Sequence, residues 1–173
     1  PHEKLRELAS DEAARLAAEK AHREDYLGRL SRENCLPGIR AALNVARGRG
    51  LALAVASSSS HKWVDGHLAQ LGIADYFKTT VCRDDVKKVK PDPELYLTAL
   101  ARLGVAADEA LVFEDSPPGA RAAAAAGIGC IAIPNPITRG MNFDAASRML
   151  ASLDELPFEQ LLAETEKGMR RAI

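Results

Sequence analysis

Polar side chains occur in three short clusters along this chain, each placed where a predicted strand ends or a loop is stiffened by proline. The clusters are Ser57 to Ser60, Lys90 before Pro91-Asp92-Pro93, and Glu114-Asp115-Ser116. Hydroxyls with free backbone N–H groups, a lysine and a carboxylate pair are the groups that can hold a phosphate beside a divalent cation. Because the carboxyl ends of strands form the ligand crevice of an open α/β sheet, we expect the three clusters to meet in space.

The carboxylate pair Glu114-Asp115 is the candidate metal site. It directly follows the apolar segment Leu111-Val112-Phe113, where two adjacent carboxylates repel each other and lose hydration unless a cation neutralises them. Oxygen ligands of this kind suit Mg²⁺. A solvated pair at the start of the next helix explains the same residues equally well, since Ser116-Pro117 is a good helix start. Taken alone, the pair favours neither interpretation.

The serine turn is the candidate anion site, and Lys90 is its candidate cation. Small residues such as Ser57 and Ser58 at a strand-to-helix turn let backbone N–H groups point at an anion. For an isolated motif, a serine-rich turn with Ser60 as helix cap is the favoured alternative. Lys90 is chosen because its loop is stiffened by prolines, and a fixed ammonium can neutralise a phosphate and a carboxylate together. His61 is interpreted as a capping or surface histidine.

Alternating apolar segments and amphipathic helices predict an α/β fold in which helices cover a parallel sheet. Strands are predicted over Leu51–Ala56, Thr79–Cys82, Leu111–Phe113 and Gly129–Ile133, with a weaker one near Met149-Leu150. Helices are predicted near 38–48, over about 61–71, between Pro93 and Gly104, over Ala120–Ala126 after Pro117-Pro118, and over Pro157–Arg171. Residues 2–33 are predicted to be helical, and Pro37-Gly38 marks a boundary after a small first element.

Bulk composition restricts the class of protein. The chain has 173 residues, enough for one substantial core, and 23 basic against 24 acidic residues, which excludes a general affinity for nucleic acid. No apolar run approaches the ~18 residues of a membrane span. Three cysteines without CxxC spacing are typical of buried thiols in a reducing compartment. We expect a cytoplasmic protein that is a monomer or homodimer.

The order strand-Ser, Lys-Pro-Asp-Pro, strand-Glu-Asp-Ser-x-x-Gly resembles the haloacid dehalogenase superfamily of phosphohydrolases. It is most similar to the subgroup of sugar-phosphate phosphatases and β-phosphoglucomutases with a small helical cap. The resemblance runs from about Leu36 to Leu156 and is most specific over Phe113–Gly119. It implies a Rossmann-like core over residues 35–173, and it implies that residues 1–34 are a partial cap.

The resemblance also implies roles for the polar clusters. Ser57, helped by the Ser58 N–H, would bind the transferring phosphoryl group, and Lys90 would pair with that group and with the nucleophile. Glu114 and Asp115 would hold Mg²⁺, Asp115 more directly. Three residues in or near loops that could face a substrate cannot be separated from ordinary surface residues by sequence, namely Arg121, Asn135 and Arg139.

One expected motif does not occur among the 173 residues. Members of the superfamily begin with a central strand ending in Asp-x-Asp-Gly-Thr, whose first Asp attacks phosphorus and whose second is the general acid and base. Asp84-Asp85-Val86 has neither that spacing nor the Gly-Thr. We expect that the sequence omits an N-terminal stretch that carries the first strand of the core. An inactive remnant is the alternative.

The function implied by the resemblance is a Mg²⁺-dependent phosphatase-like hydrolase of small phosphorylated metabolites, sugar phosphates in particular. It would proceed through an aspartyl-phosphate on an aspartate absent from this chain, so the chain alone is expected to be inactive or nearly so. The alternatives are a phosphomutase of the β-phosphoglucomutase type and a non-catalytic protein that keeps the fold.

Overall fold

The computed structural model describes residues 14, 16–21 and 34–169 of the chain. The chain divides into two compact units, Pro1–Asn34 and Cys35–Ile173. In the first unit the described residues 14 and 16–21 are helical, as expected from their composition. The remainder of the helices predicted over 2–33 lies outside the described residues, and the assignment of residues 1–34 to a cap stays a prediction.

The second unit alternates strands and helices in the predicted order. The helices are α1 Ile39–Gly48, α2 His61–Gln70, α3 Glu94–Leu103, α4 Pro117–Ala125 and α5 Phe158–Met169. The strands are β1 Ala54–Ala56, β2 Thr79–Val81, β3 Leu111–Glu114, β4 Gly129–Ala132 and β5 Arg148–Met149. Short 3₁₀ turns lie at Ala74–Tyr76, Arg83–Asp85 and Ala107–Glu109. No helix in the described ranges combines the length and the apolarity that crossing a bilayer requires.

All strand pairs in this unit are parallel, which confirms the predicted α/β class. β1 pairs with β2, so that Val55 lies opposite Thr80. β3 pairs with β4, and β4 with β5, with Val112 opposite Cys130. Within the described chain these strands form two sheets, β1-β2 and β3-β4-β5, because β1 and β3 do not pair with each other. The carboxyl ends of β1 and β3 carry the serine turn and the carboxylate pair.

The apolar run predicted that the first strand begins at Leu51, but β1 begins at Ala54. Backbone pairing with β2 extends one residue before Ala54, through the hydrogen bond from the Lys78 N–H to the Leu53 carbonyl oxygen at 2.8 Å, but it does not reach Leu51. Leu51 itself is 44% exposed. An apolar run predicts burial, but the length of a strand is set by the neighbour that it pairs with.

The helix α4 fixes the position of the carboxylate pair. Its alanines Ala120, Ala122 and Ala123 are fully buried and pack in one cluster with residues of β4. Small side chains allow the helix backbone to approach the sheet closely. Ser116 caps the helix, because its hydroxyl accepts a hydrogen bond from the Gly119 N–H at 3.2 Å. The sheet and the cap together place Glu114 at the end of β3.

Candidate active site

Lys90 joins the ends of the two sheets. Its ammonium donates to the carbonyl oxygen of Ala56, the last residue of β1, at 2.8 Å, and to the carboxylate of Glu114 at the end of β3. The Lys90 side chain is 12% exposed and that of Glu114 only 5%. The predicted meeting of the lysine loop with the ends of both strands is therefore observed, and a buried ion pair holds it together.

The Glu114 carboxylate is bonded on both oxygens. Oε1 accepts from Lys90 and from the hydroxyl of the buried Tyr96, whose ring lies 4.7 Å from the Lys90 ammonium. Oε2 accepts from the Ser116 hydroxyl at 3.0 Å and from its N–H at 3.4 Å. A buried charge is tolerated only when it is paired and hydrogen-bonded in this way.

Gly119 leaves the space that Glu114 occupies. A Cβ at this position would lie 2.0 Å from Cδ and from Oε2 of the Glu114 carboxylate, well inside van der Waals contact. The backbone of Gly119 has an ordinary helical conformation that any residue could adopt. The glycine is therefore required at this position because a larger side chain would collide with the Glu114 carboxylate.

Unlike the buried Glu114, Asp115 lies at the surface. It is exposed, its Oδ2 accepts from the Asn135 amide at 2.9 Å, and its carbonyl oxygen accepts from the Thr138 hydroxyl at 2.6 Å. The two carboxylates thus differ in availability: Glu114 is committed to protein donors, whereas Asp115 retains an accessible carboxylate.

The serine turn is ordered by its own hydrogen bonds. The Ser57 N–H donates to Val81 at 2.9 Å, which continues the β1-β2 ladder, and the Ser57 hydroxyl accepts from the Ser59 N–H at 3.1 Å. In the part of the chain that the structure describes, the Ser58 N–H has no acceptor, and Ser58 is exposed. Ser57 follows Ala56 directly, so the turn lies next to the carbonyl that receives the Lys90 ammonium.

Burial changes the acidity of the groups around Glu114. The pKa of the Tyr96 hydroxyl is raised far above its usual range, first by burial and then by the Glu114 charge. Burial also raises the pKa of Cys130 to about 11. Both groups therefore remain protonated near neutral pH, and Tyr96 serves as a fixed hydrogen-bond donor.

The sequence reasoning did not identify Tyr96, Asn135 and Thr138 as parts of this site. Tyr96 was expected only as a member of the apolar stripe of α3. A tyrosine among leucines is itself a signal, because a buried hydroxyl requires a partner. Asn135 and Thr138 lie in a loop after β4 and had no signal that separates them from surface residues. Arg121 is exposed, and among the described residues no hydrogen bond joins it to the carboxylate pair.

The residues present fit a divalent cation only in part. Across residues 14, 16–21 and 34–169, no group of three or more acidic, histidine or cysteine side chains could enclose a metal ion. Mg²⁺ does not require such an enclosure, since it commonly takes one or two carboxylates and completes its shell with water and substrate phosphate. The exposed Asp115 beside Glu114 is compatible with that mode of binding.

A family model of haloacid dehalogenase-like hydrolases matches residues 4–133, three quarters of the chain. The chain belongs to this family. The predicted superfamily is thereby confirmed, and the likeness to sugar-phosphate phosphatases and β-phosphoglucomutases is confirmed by individual relatives and solved structures. The α/β fold with parallel strands is the one expected of a haloacid dehalogenase-like hydrolase.

Individual relatives show how much of the family fold the chain covers. It is 41% identical over 162 residues to YhcW of Bacillus subtilis (strain 168), a match that covers 94% of this chain and 74% of YhcW. It is 42% identical over 99 residues to the phosphorylated carbohydrates phosphatase of Thermotoga maritima, covering 57% of this chain and 45% of that protein. A crystal structure of mutant CbbY from Rhodobacter sphaeroides in complex with xylulose-(1,5)bisphosphate is 31% identical, with a TM-score of 0.72, and the match covers 86% of this chain and 68% of CbbY.

Proposed function

We propose that this chain forms the phosphate- and metal-binding part of a Mg²⁺-dependent phosphatase-like hydrolase that acts on small phosphorylated metabolites, sugar phosphates in particular. The observation that supports the proposal most directly is the Lys90 bridge between the end of β1 and Glu114. Two relatives support the substrate class: one is named as a phosphatase of phosphorylated carbohydrates, and CbbY was crystallised with a sugar bisphosphate.

The residues of this chain have distinct roles in the proposal. The Ser58 N–H and the Ser57 hydroxyl bind phosphoryl oxygens, and Lys90 neutralises their charge. Asp115 holds Mg²⁺ directly, with Glu114 beside it, and the ion when bound neutralises further phosphoryl charge. Charge neutralisation and alignment supply most of the catalysis in phosphoryl transfer. The Asp-x-Asp-Gly-Thr motif that carries the attacking aspartate in the family does not occur in the given sequence.

Titration calorimetry with Mg²⁺ tests the metal site. The wild-type chain is expected to bind the ion, and Asp115→Asn is expected to lose it, because the exposed carboxylate is removed while Glu114 keeps its partners. Asp108→Asn is the control, since Asp108 is also an exposed carboxylate but lies in a turn before β3. A wild-type chain that binds no Mg²⁺ would instead favour a non-catalytic protein that keeps the fold.

A phosphatase assay tests the need for an aspartate from outside these residues. The purified chain, with Mg²⁺ and a sugar phosphate such as glucose 6-phosphate, is expected to release no inorganic phosphate above background. Release that disappears on Lys90→Ala would show that these residues suffice for hydrolysis. The expectation of an inactive chain would then be wrong, although the phosphate site would be supported.

A further inference from the structure

His61 lies between two carboxylates, outside the Lys90–Glu114 contact. Its Nε2 is 2.6 Å from Asp85 Oδ2, and its Nδ1 is 3.3 Å from Asp65 Oδ2 and 3.4 Å from the Thr80 hydroxyl. A neutral imidazole can donate from only one nitrogen, so only the protonated ring can donate a hydrogen bond to both carboxylates. In agreement, the hydrogen bond that the ring donates to Asp85 is the largest of the interactions that raise the pKa of His61.

Asp85 is the fixed partner of this pair. Its Oδ2 accepts from the Cys82 N–H at 2.8 Å, and its Oδ1 accepts from Arg102 of α3 at 2.7 Å. These donors, the Cys82 N–H first, hold the pKa of Asp85 at about 2. Arg102 also donates to the Thr80 carbonyl oxygen at 2.8 Å. Near neutral pH the carboxylate is therefore charged and anchored to both β2 and α3, and His61 is the member that can change.

Two of the hydrogen bonds between the serine turn and the Arg83–Asp85 turn come from His61. The His61 N–H donates to Asp84 Oδ2 at 2.8 Å, and its ring contacts Asp85; the third bond runs from the Arg83 N–H to the Ser59 carbonyl oxygen at 3.0 Å. His61 thus differs from the surface or capping histidine expected from the sequence, because it is half-buried and joins two loops. One of these loops carries the candidate phosphate donors, and the other leads into Lys90.

We propose that His61 is a positioning residue, which through Asp85 holds the Ser57–Ser60 turn against the loop of Lys90 so that both face the same anion. This inference rests on the proposed function, because it concerns the same phosphate site. It assigns no contact between His61 and substrate. The backbone N–H of His61 is already bonded to Asp84, which leaves the turn itself, and above all the Ser58 N–H, to receive the anion.

The link is expected to weaken as pH rises through the pKa of His61, because the neutral ring loses one of its two donors. The groups that face the ring come from each packed element: Asp65 from α2, Thr80 from β2, Asp84 and Asp85 from the 3₁₀ turn, and Arg102 from α3 through Asp85. The carboxylate of Asp85 keeps its charge throughout the range in which histidine titrates. The neighbouring Cys82 thiol stays neutral over the same pH range, since burial raises its pKa to about 11.

Binding of inorganic sulfate to the chain tests the proposal. Sulfate is a tetrahedral dianion that does not itself titrate between about pH 5 and pH 8, where histidine does. Because a hydrogen bond between charged groups is worth about tenfold or more in an equilibrium constant, His61→Gln is expected to weaken sulfate binding about tenfold. His67→Gln is the matched control: it lies in the same helix, and its ring contacts the Trp63 carbonyl oxygen at 2.8 Å.

The pH profile separates positioning from a merely structural role. The sulfate affinity of the wild-type chain is expected to fall in step with the titration of the His61 ring, followed by nuclear magnetic resonance. His61→Arg keeps a cation beside Asp85, so it is expected to retain affinity above the pKa at which the wild type loses it. If His61→Gln fails to fold, the wild-type profile and His61→Arg still decide the question.

The outcomes distinguish the inference from the function on which it rests. A wild-type affinity that stays constant through the His61 titration, or a His61→Gln affinity equal to that of His67→Gln, overturns the positioning role. The phosphate site survives that result as long as the wild-type chain still binds sulfate. A wild-type chain that binds no sulfate at all removes the phosphate site itself, and the inference with it.

Discussion

The replacement Gly119→Ala is expected to destabilise the fold, although alanine favours helix over glycine. The new Cβ would lie 2.0 Å from the Glu114 carboxylate, where carbon atoms normally approach to about 3.5 Å. Glu114 cannot turn aside without leaving Lys90 and Tyr96, and breaking a buried ion pair costs about 3–5 kcal/mol. The higher helix propensity of alanine stabilises the helix by about 1 kcal/mol relative to glycine. We expect a net loss of about 2–4 kcal/mol in the free energy of unfolding.

Gly66→Ala provides the matched control. Gly66 is also a helical glycine, in α2, but a Cβ there would have no atom within 4 Å. This variant is expected to gain up to about 1 kcal/mol. Urea unfolding followed by the fluorescence of Trp63, the single tryptophan, reports on the unit that contains both sites. Equal stabilisation of the two glycine variants would refute the argument from close approach.

A double-mutant cycle identifies the source of the cost. When Glu114→Ala removes the carboxylate, the added methyl group of Gly119→Ala no longer meets it. The second substitution should then cost nothing, or stabilise slightly, in the Glu114→Ala background, which gives a coupling energy of about 3 kcal/mol. An unchanged cost in that background would mean that Gly119→Ala acts through the helix backbone rather than through Glu114.

Three further predictions use the same unfolding assay. Lys90→Met is expected to cost about 3–5 kcal/mol, because Glu114 loses its cation while still buried; Lys88→Met, at a side chain that is 75% exposed, should change stability by less than about 0.5 kcal/mol. Tyr96→Phe is expected to cost about 1–3 kcal/mol, since it removes one donor to the same carboxylate. Because the pKa of Asp85 is lowered from 3.8 to about 2, its ionised carboxylate stabilises the fold above pH 3.8. This contribution is lost as the pH falls toward about 2, so the difference in stability between wild type and Asp85→Asn should shrink over that interval.

Each of these predictions has a contrary result. A Lys90→Met protein as stable as Lys88→Met would show that the Lys90–Glu114 ion pair does not stabilise the fold. A Tyr96→Phe protein that is as stable as wild type would mean that the Ser116 donors suffice for Glu114. A difference for Asp85→Asn that persists unchanged down to pH 2 would show that its carboxylate stabilises the fold by packing and not by charge.

The parts of this fold that depend on local pattern could be predicted from the sequence. Apolar runs gave the strands β3 and β4, and Gly104 ended α3 in the left-handed conformation that glycine favours. The convergence of Lys90 and Glu114 was also predictable, because parallel strands present their carboxyl ends on one edge. These features follow from periodicity and from one rule about the geometry of sheets.

Features set by contacts between distant residues were not predictable in the same way. Nothing in the local pattern shows that Tyr96 points its hydroxyl at a residue 18 positions later, or that Asn135 reaches Asp115. The division into two sheets, β1-β2 and β3-β4-β5, does not follow from the apolar character of the strands, since the pairing of β1 depends on its neighbour. His61 looked like a surface residue because its partner Asp85 lies 24 positions away.

The geometry of the site separates two roles that the sequence had assigned to a single carboxylate pair. Both oxygens of Glu114 already accept hydrogen bonds from Lys90, Tyr96 and Ser116, so a metal ion at Glu114 has to compete with these donors. Asp115 has an exposed carboxylate, and the Asn135 amide is the one donor to it in the described part of the chain. Under the proposed function, removal of the Asp115 charge should therefore abolish Mg²⁺ binding with little loss of stability. Removal of the Glu114 charge should instead destabilise the fold, since the Lys90 ammonium would then be buried beside a neutral partner.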